Sequence, residues 1–157
     1  MENEKIIDGK AISSAIKEEV RLETIKLKKN TGITPGLGFI LAGDNAASQM
    51  YVKSKEKACA EIGFYSGTKI LSSDVSKTEI IDTIELFNHD SKIHGILVQL
   101  PLPKQLDESE IINAIDFKKD VDGFHPVNVG RLSLGKSSFV PCTPAGIIEL
   151  LKRSDID

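Results

Sequence analysis

Residues 35–62, PGLGFILAGDNAASQMYVKSKEKACAEI, change periodicity within a few positions. Residues 35–42 are a short continuous apolar run, the pattern of a strand buried on both faces. Residues 43–47, GDNAA, are a turn. From Ser48 onward the spacing is helical. At about 100° per residue, Tyr51, Val52, Ala58, Cys59 and Ile62 fall on one arc, and Lys53, Lys57 and Glu61 lie opposite. Strand, turn and amphipathic helix form the opening of a βαβ unit. Gly36 and Gly38 bear a faint likeness to a dinucleotide fingerprint. However, the third glycine is missing, and the pair enters a strand instead of leaving one for a helix.

The same alternation continues on both sides. Asp8 and Gly9 open a long helix with the apolar stripe Ile12, Ala15, Ile16, Val20 and Leu27. Lys26, Lys28 and Lys29 crowd its last turns, where cations suit the helix dipole, and residues 30–32 end it. Residues 64–71 read as a second strand. Ser76 and Glu79 form a capping pattern for a helix running to about Asn88. Residues 93–100, IHGILVQL, are the most continuous apolar strand, stopped by Pro101 and Pro103. Asp107 and Glu110 cap a short helix that ends near Ile115, and residues 116–126 read as a loop. Thr143 and Pro144 suit the cap and first position of a last helix, which continues to about Arg153. This order predicts an α/β fold: an open, mainly parallel sheet flanked by helices in three layers, with right-handed crossovers.

Composition narrows the function. The chain has 157 residues, a formal charge of −3, 40% hydrophobic and 27% charged residues, ordinary for one soluble domain. It carries no basic footprint for nucleic acid or anionic membrane. No apolar run approaches a membrane span, and residues 1–10 lack the apolar core of a signal peptide. Cys59 and Cys142 form no C-x-x-C pair and read as reduced thiols of a cytoplasmic protein. His89, His94 and His125 make no metal-ligand spacing.

Lys55 breaks the pattern of its helix, for it lies in the middle of the apolar arc, one turn after Tyr51. Two readings fit: the stem packs and the ammonium snorkels out, or desolvation favours the neutral amine, which then serves as a base or nucleophile. In open α/β sheets, ligands sit beyond the carboxyl ends of the strands. The turn before Ser48 and the polar residue Gln99 both lie at such ends, so Tyr51, Lys55 and Gln99 can face one crevice. Gln99 is either a strand-end amide bonded to a loop or a partner that positions Lys55 without adding charge. In the loop DVDG, Asp120 and Asp122 fit an Asx-type turn before Gly123. Alternatively, one of them accepts two parallel hydrogen bonds from a ligand with adjacent N–H groups. Asp120, flanked by Lys118 and Lys119, reads as solvated; Asp122 is the candidate.

Four blocks carry a family resemblance: S-x-x-Y-V-x-x-K at 48–55, G-I-L-V-Q-L-P-L-P at 95–103, K-D-V-D-G-F-H-P-x-N-x-G-R-L at 119–132 and P-C-T-P-x-G-I at 141–147. Their order and spacing resemble the bifunctional methylenetetrahydrofolate dehydrogenase/methenyltetrahydrofolate cyclohydrolase family. The resemblance implies a Rossmann-like domain of the amino-acid-dehydrogenase-like N-terminal type. It implies oxidation of 5,10-methylenetetrahydrofolate to 5,10-methenyltetrahydrofolate with NADP, or in some members NAD, then hydrolysis to 10-formyltetrahydrofolate. It makes Lys55 the catalytic lysine, Gln99 its modulator, Tyr51 the ring against the folate and Asp122 the anchor for the pterin. Val98 and Leu100 would line the site, with Ser48 near it. It also implies a homodimer. Residues 1–142 would be the folate-binding catalytic domain, and 143–157 a bridging helix toward an NAD(P)-binding domain that this chain lacks. A folate-binding or dimerising fragment without turnover is the alternative. A Schiff-base lysine enzyme is a third reading of Lys55, which the Gln99 and Asp122 motifs do not support.

Overall fold

A computed structural model describes residues 6–156. The first five residues and Asp157, the outer ends of the two units expected from the resemblance, lie outside the described residues. The elements in order are α1 (Gly9–Thr31), β1 (Gly36–Ala42), α2 (Ala46–Ile62), β2 (Tyr65–Leu71), α3 (Lys77–His89), β3 (Gly95–Gln99), α4 (Glu108–Asn113), α5 (Pro126–Ser133) and α6 (Cys142–Lys152). The three strands form a parallel sheet in the order β2-β1-β3.

Strand alternation sorts the core into two faces. Phe39, Leu41 and Leu97 face Val52 and Cys59 of α2. Ile40, Ala42, Ile96 and Val98 face Ile80, Ile84 and Phe87 of α3 and Ile111 of α4. Helices thus cover both sides of the sheet, as the alternating pattern predicts. Helix α1 packs on α2. Arg153, just past α6, reaches back to α1 with a two-pronged bond to Glu19 at 2.7 and 2.8 Å.

The turn chemistry explains where elements begin. Asp8 accepts from the Ala11 N–H at 2.9 Å, and Ser76 accepts from Glu79. Asp107 accepts from both Ser109 and Glu110. Gly32 ends α1 with φ of 74°, a left-handed conformation in which a Cβ is costly. Gly38 serves a different purpose: an ideal Cβ there would stand 2.6 Å from the Phe87 ring. The missing side chain lets α3 close onto the sheet.

Two elements differ from the expectation. Residues 126–133 form α5, a helix that β-branched Val127 and Val129 and Gly130 conceal in the sequence; it is capped by the His125 ring, whose Nδ1 accepts from Val127. Helix α6 begins at Cys142, with Pro141 at its cap and no side-chain cap bond, instead of at Pro144 behind a Thr143 cap. A helix leaves its first N–H groups without internal partners, so Pro144 fits inside the first turn.

The loop between α4 and α5 is fastened to the sheet. Lys119 points its ammonium at the end of α3, bonding the carbonyls of Phe87, Asn88 and Asp90 at 3.0, 2.7 and 3.1 Å, a favourable place for a cation. Ile96 of β3 donates to the Lys119 carbonyl at 2.7 Å, and Asp120 makes a single parallel bridge with Ile96. The Gly38→Ala substitution is expected to destabilise the chain by roughly 1–3 kcal/mol through overpacking. Urea unfolding checks this, and an unchanged midpoint would contradict the packing argument.

Candidate active site

Parallel strands end on the same edge of a sheet, and Leu41 of β1 lies opposite Gln99 of β3. Helix α2 starts just beyond β1, its first turn closed by Asn45, which accepts from the Ser48 N–H at 3.0 Å. Along β3, Leu97 faces α2, so alternation turns Gln99 the same way. The consequence is direct: Lys55 Nζ donates to Gln99 Oε1 at 3.0 Å. Gln99 Nε2 donates to the Leu100 carbonyl at 2.7 Å, which holds the amide oxygen toward the lysine. Lys55 is half-buried, and this partner is a neutral amide.

The other residues expected from the sequence divide. Tyr51, one turn before Lys55, is 62% exposed. It stands at the flank of the helix instead of within its buried face, leaving a ring free for contact. Ser48 is buried. Val98 is 5% exposed and packs in the core on the α3 side, and Leu100 packs against the same cluster. Both side chains turn away from the face carrying Lys55 and Gln99, because strand alternation sends neighbours of Gln99 to the opposite layer, so it is their backbone that lies beside Gln99.

Asp122 is half-buried. Burial pushes its carboxyl above the ordinary value, the Lys55 charge pulls it back, and the Asp120 charge pushes it further up. Cys142, the first residue of α6, brings its Sγ to 4.0 Å from Asp122 Oδ1 and 3.9 Å from the Val121 carbonyl. Burial pushes the Cys142 thiol up, Asp122 adds to that, and Lys55 opposes it. Lys55 therefore acts electrostatically on both groups, and Lys55, Gln99, Asp122 and Cys142 share one neighbourhood. The sequence signals Cys142 only through the P-C-T-P block.

Asp120 is not solvated. It is 1% exposed, and its carboxylate accepts from the His125 N–H at 2.8 Å and from Asn128 Nδ2 at 2.9 Å. The neighbouring lysines misled the expectation: Lys119 is turned to the α3 carbonyls, and Lys118 is exposed with its ammonium 5.8 Å from the Phe117 ring centroid.

The described residues do not fit a dinucleotide phosphate at Gly36 and Gly38. Both lie within β1. Ideal Cβ atoms there would meet the Lys92 carbonyl oxygen at 1.9 Å and the Phe87 ring at 2.6 Å, so the protein itself occupies the space their missing side chains leave.

Residues 7–122 match the family model described as tetrahydrofolate dehydrogenase/cyclohydrolase, catalytic domain. The chain belongs to the tetrahydrofolate dehydrogenase/cyclohydrolase family. It is 54% identical over 153 residues to the bifunctional protein FolD of Acetivibrio thermocellus, covering 98% of this chain and 53% of that one. The crystal structure of the bifunctional enzyme FolD from Campylobacter jejuni superposes with a TM-score of 0.93 at 51% identity, over 96% of this chain and 54% of that one. A Trypanosoma brucei FolD solved with NADP cofactor and inhibitor gives 0.93 at 36% identity, over 96% of this chain and 52% of that one. The chain thus spans about half the length of the FolD relatives it matches. Among the described residues no helix is long and apolar enough to cross a membrane.

The raised Asp122 carboxyl has a consequence for stability in this FolD-family chain. Between the ordinary value of 3.8 and the higher folded value, the folded state binds more protons than the unfolded one, so stability falls as pH rises through that window. Asp122→Asn is expected to raise the thermal unfolding midpoint at pH 7. The gain should shrink as pH falls through the folded value and vanish below the ordinary one. Equal midpoints for the variant and the native chain at pH 7 would contradict the burial argument.

Proposed function

We propose that this chain is the folate-handling part of a bifunctional methylenetetrahydrofolate dehydrogenase/methenyltetrahydrofolate cyclohydrolase. The observation that carries the reading is the 3.0 Å bond between Lys55 and Gln99, beside a half-buried Asp122, in a chain of this family. Methenyltetrahydrofolate is a cation with an electrophilic carbon. Hydrolysis requires water to attack that carbon and lose a proton. Lys55 is placed to hold the water or to take its proton, and Gln99 aims the lysine without a competing charge. Asp122 suits the adjacent N–H groups of the pterin, which a carboxylate accepts in parallel. The exposed Tyr51 ring, on the same helix as Lys55, offers a face for the folate, and Ser48 lies one turn earlier. The backbone around Val98 and Leu100 frames Gln99.

In the oxidation, NADP supplies the hydride acceptor when bound. This chain's part is to orient the methylene carbon. Residues 1–142 form the catalytic unit in this reading, and 143–157 a bridge toward an NAD(P)-binding unit. The setting is cytoplasmic and the assembly a homodimer.

The test follows the methenyltetrahydrofolate chromophore without nicotinamide cofactor. The chain is expected to speed its decay, and Lys55→Met to slow the catalysed rate by about a hundredfold or more, the usual range for a positioned acid or base. An unaltered rate in Lys55→Met would overturn the assignment. A second reading, folate binding without turnover, draws on the match to only half the length of the FolD relatives. It predicts tetrahydrofolate binding with decay at the uncatalysed rate.

A further inference from the structure

Asp120 is a buried carboxylate whose partners are neutral. Desolvating a charge without a counter-charge is costly, and hydrogen bonds from neutral donors offset that cost here. Asp120 Oδ2 receives both the His125 N–H and Asn128 Nδ2. Asn128 is itself fixed: its Nδ2 also donates to the Phe117 carbonyl at 2.8 Å, and its Oδ1 accepts from Ser138 Oγ at 3.1 Å. Ser138 Oγ also lies 3.0 Å from the Asn128 carbonyl. The Gly123 N–H reaches the Asp120 carbonyl at 3.4 Å. Residues 121–124 are therefore a short arc closed by the His125 N–H on the Asp120 carboxylate and by the Gly123 N–H on the Asp120 carbonyl. The backbone of that same residue bridges Ile96, three positions before Gln99 on β3.

We propose that Asp120 is the positioning residue for Asp122: its buried carboxylate, clamped by Asn128 and the His125 backbone, sets where Asp122 stands relative to Lys55 and Gln99. The inference rests on the folate reading of Asp122. Ser138 contributes by orienting the Asn128 amide so that its nitrogen faces Asp120. The clamp also acts through charge. The charged and titratable groups that bear on Asp122 are Lys55 from α2, Asp120 from its own loop and Cys142 from α6. Asp120 pushes the Asp122 carboxyl up, opposing Lys55. A carboxylate that merely stabilised the loop would change unfolding and leave these properties of a folded site alone.

The experiment uses this chain, Asp120→Asn and the milder Ser138→Ala, each checked for folding by circular dichroism. Three quantities are read: tetrahydrofolate affinity, the Asp122 midpoint from carboxyl carbon NMR, and amide hydrogen exchange at residues 121–124. In Asp120→Asn, affinity is expected to weaken by about tenfold or more, since small misplacements at a site are expensive. The Asp122 midpoint should move down and exchange at 121–124 should quicken. Ser138→Ala should weaken affinity and quicken exchange by less, and it carries the test if Asp120→Asn unfolds. Folded variants with native affinity, an unmoved Asp122 midpoint and native exchange would overturn the proposal. If the native chain binds no tetrahydrofolate, the folate reading fails, and the Asp122 titration and loop exchange still decide whether Asp120 positions Asp122.

Discussion

Parallel pairing of β1 with β3 is the constraint from which the site follows. It brings Leu41 level with Gln99 and makes both strands deliver their following segments to one edge. Helix α2 leaves β1 there, and alternation along β3 turns Gln99 toward it. The bond from Lys55 to Gln99 is then a result of register: a one-residue slip in β3 would send Gln99 to the α3 face and bring Val98 or Leu100 against the lysine. The third arm, the loop carrying Asp122, is tied to the same strand through Ile96 and to α3 through Lys119.

The charges at this edge are arranged for chemistry more than for stability. Lys55 bonds an amide where a carboxylate would hold it more strongly. Asp122 is kept in partly dry surroundings, and Asp120 is buried with neutral donors. The Asp122 arrangement forgoes stability that a neutral side chain would recover, which is common where a protein must bind a polar ligand. The Thr83 and Asn88 side chains show the contrast. Away from the site, polar groups are satisfied locally, Thr83 on the Glu79 carbonyl and Asn88 on both ends of the 114–116 backbone.

Much of this was readable in the residues. The apolar runs mark the three strands to within two residues at either end. Ser76 and Asp107 cap the helices that they announce. Lys55 in an apolar arc and Gln99 closing an apolar strand meet because both positions are fixed by short-range periodicity. What escaped the sequence depends on contacts across the fold. Helix α5 has weak intrinsic propensity and a histidine cap. Asp120 looked solvated because its sequence neighbours are lysines, yet Lys119 is claimed by α3 and Asn128, eight residues on, closes over the carboxylate. Val98 adjoins Gln99 in sequence but belongs to the opposite layer. Cys142 meets Asp122 as the first residue of α6, which starts two residues before its cap pattern suggests.

The most direct test of the assembled site is an amide NMR titration of this chain with tetrahydrofolate. Shifts are expected to concentrate at Tyr51, Lys55, Gln99, Leu100 and residues 121–124, and Asp122→Asn to abolish the saturable part. Shifts confined to the opposite edge of the sheet, around Tyr65, Lys92 and His94, would contradict it. So would saturable binding that survives the loss of the Asp122 charge.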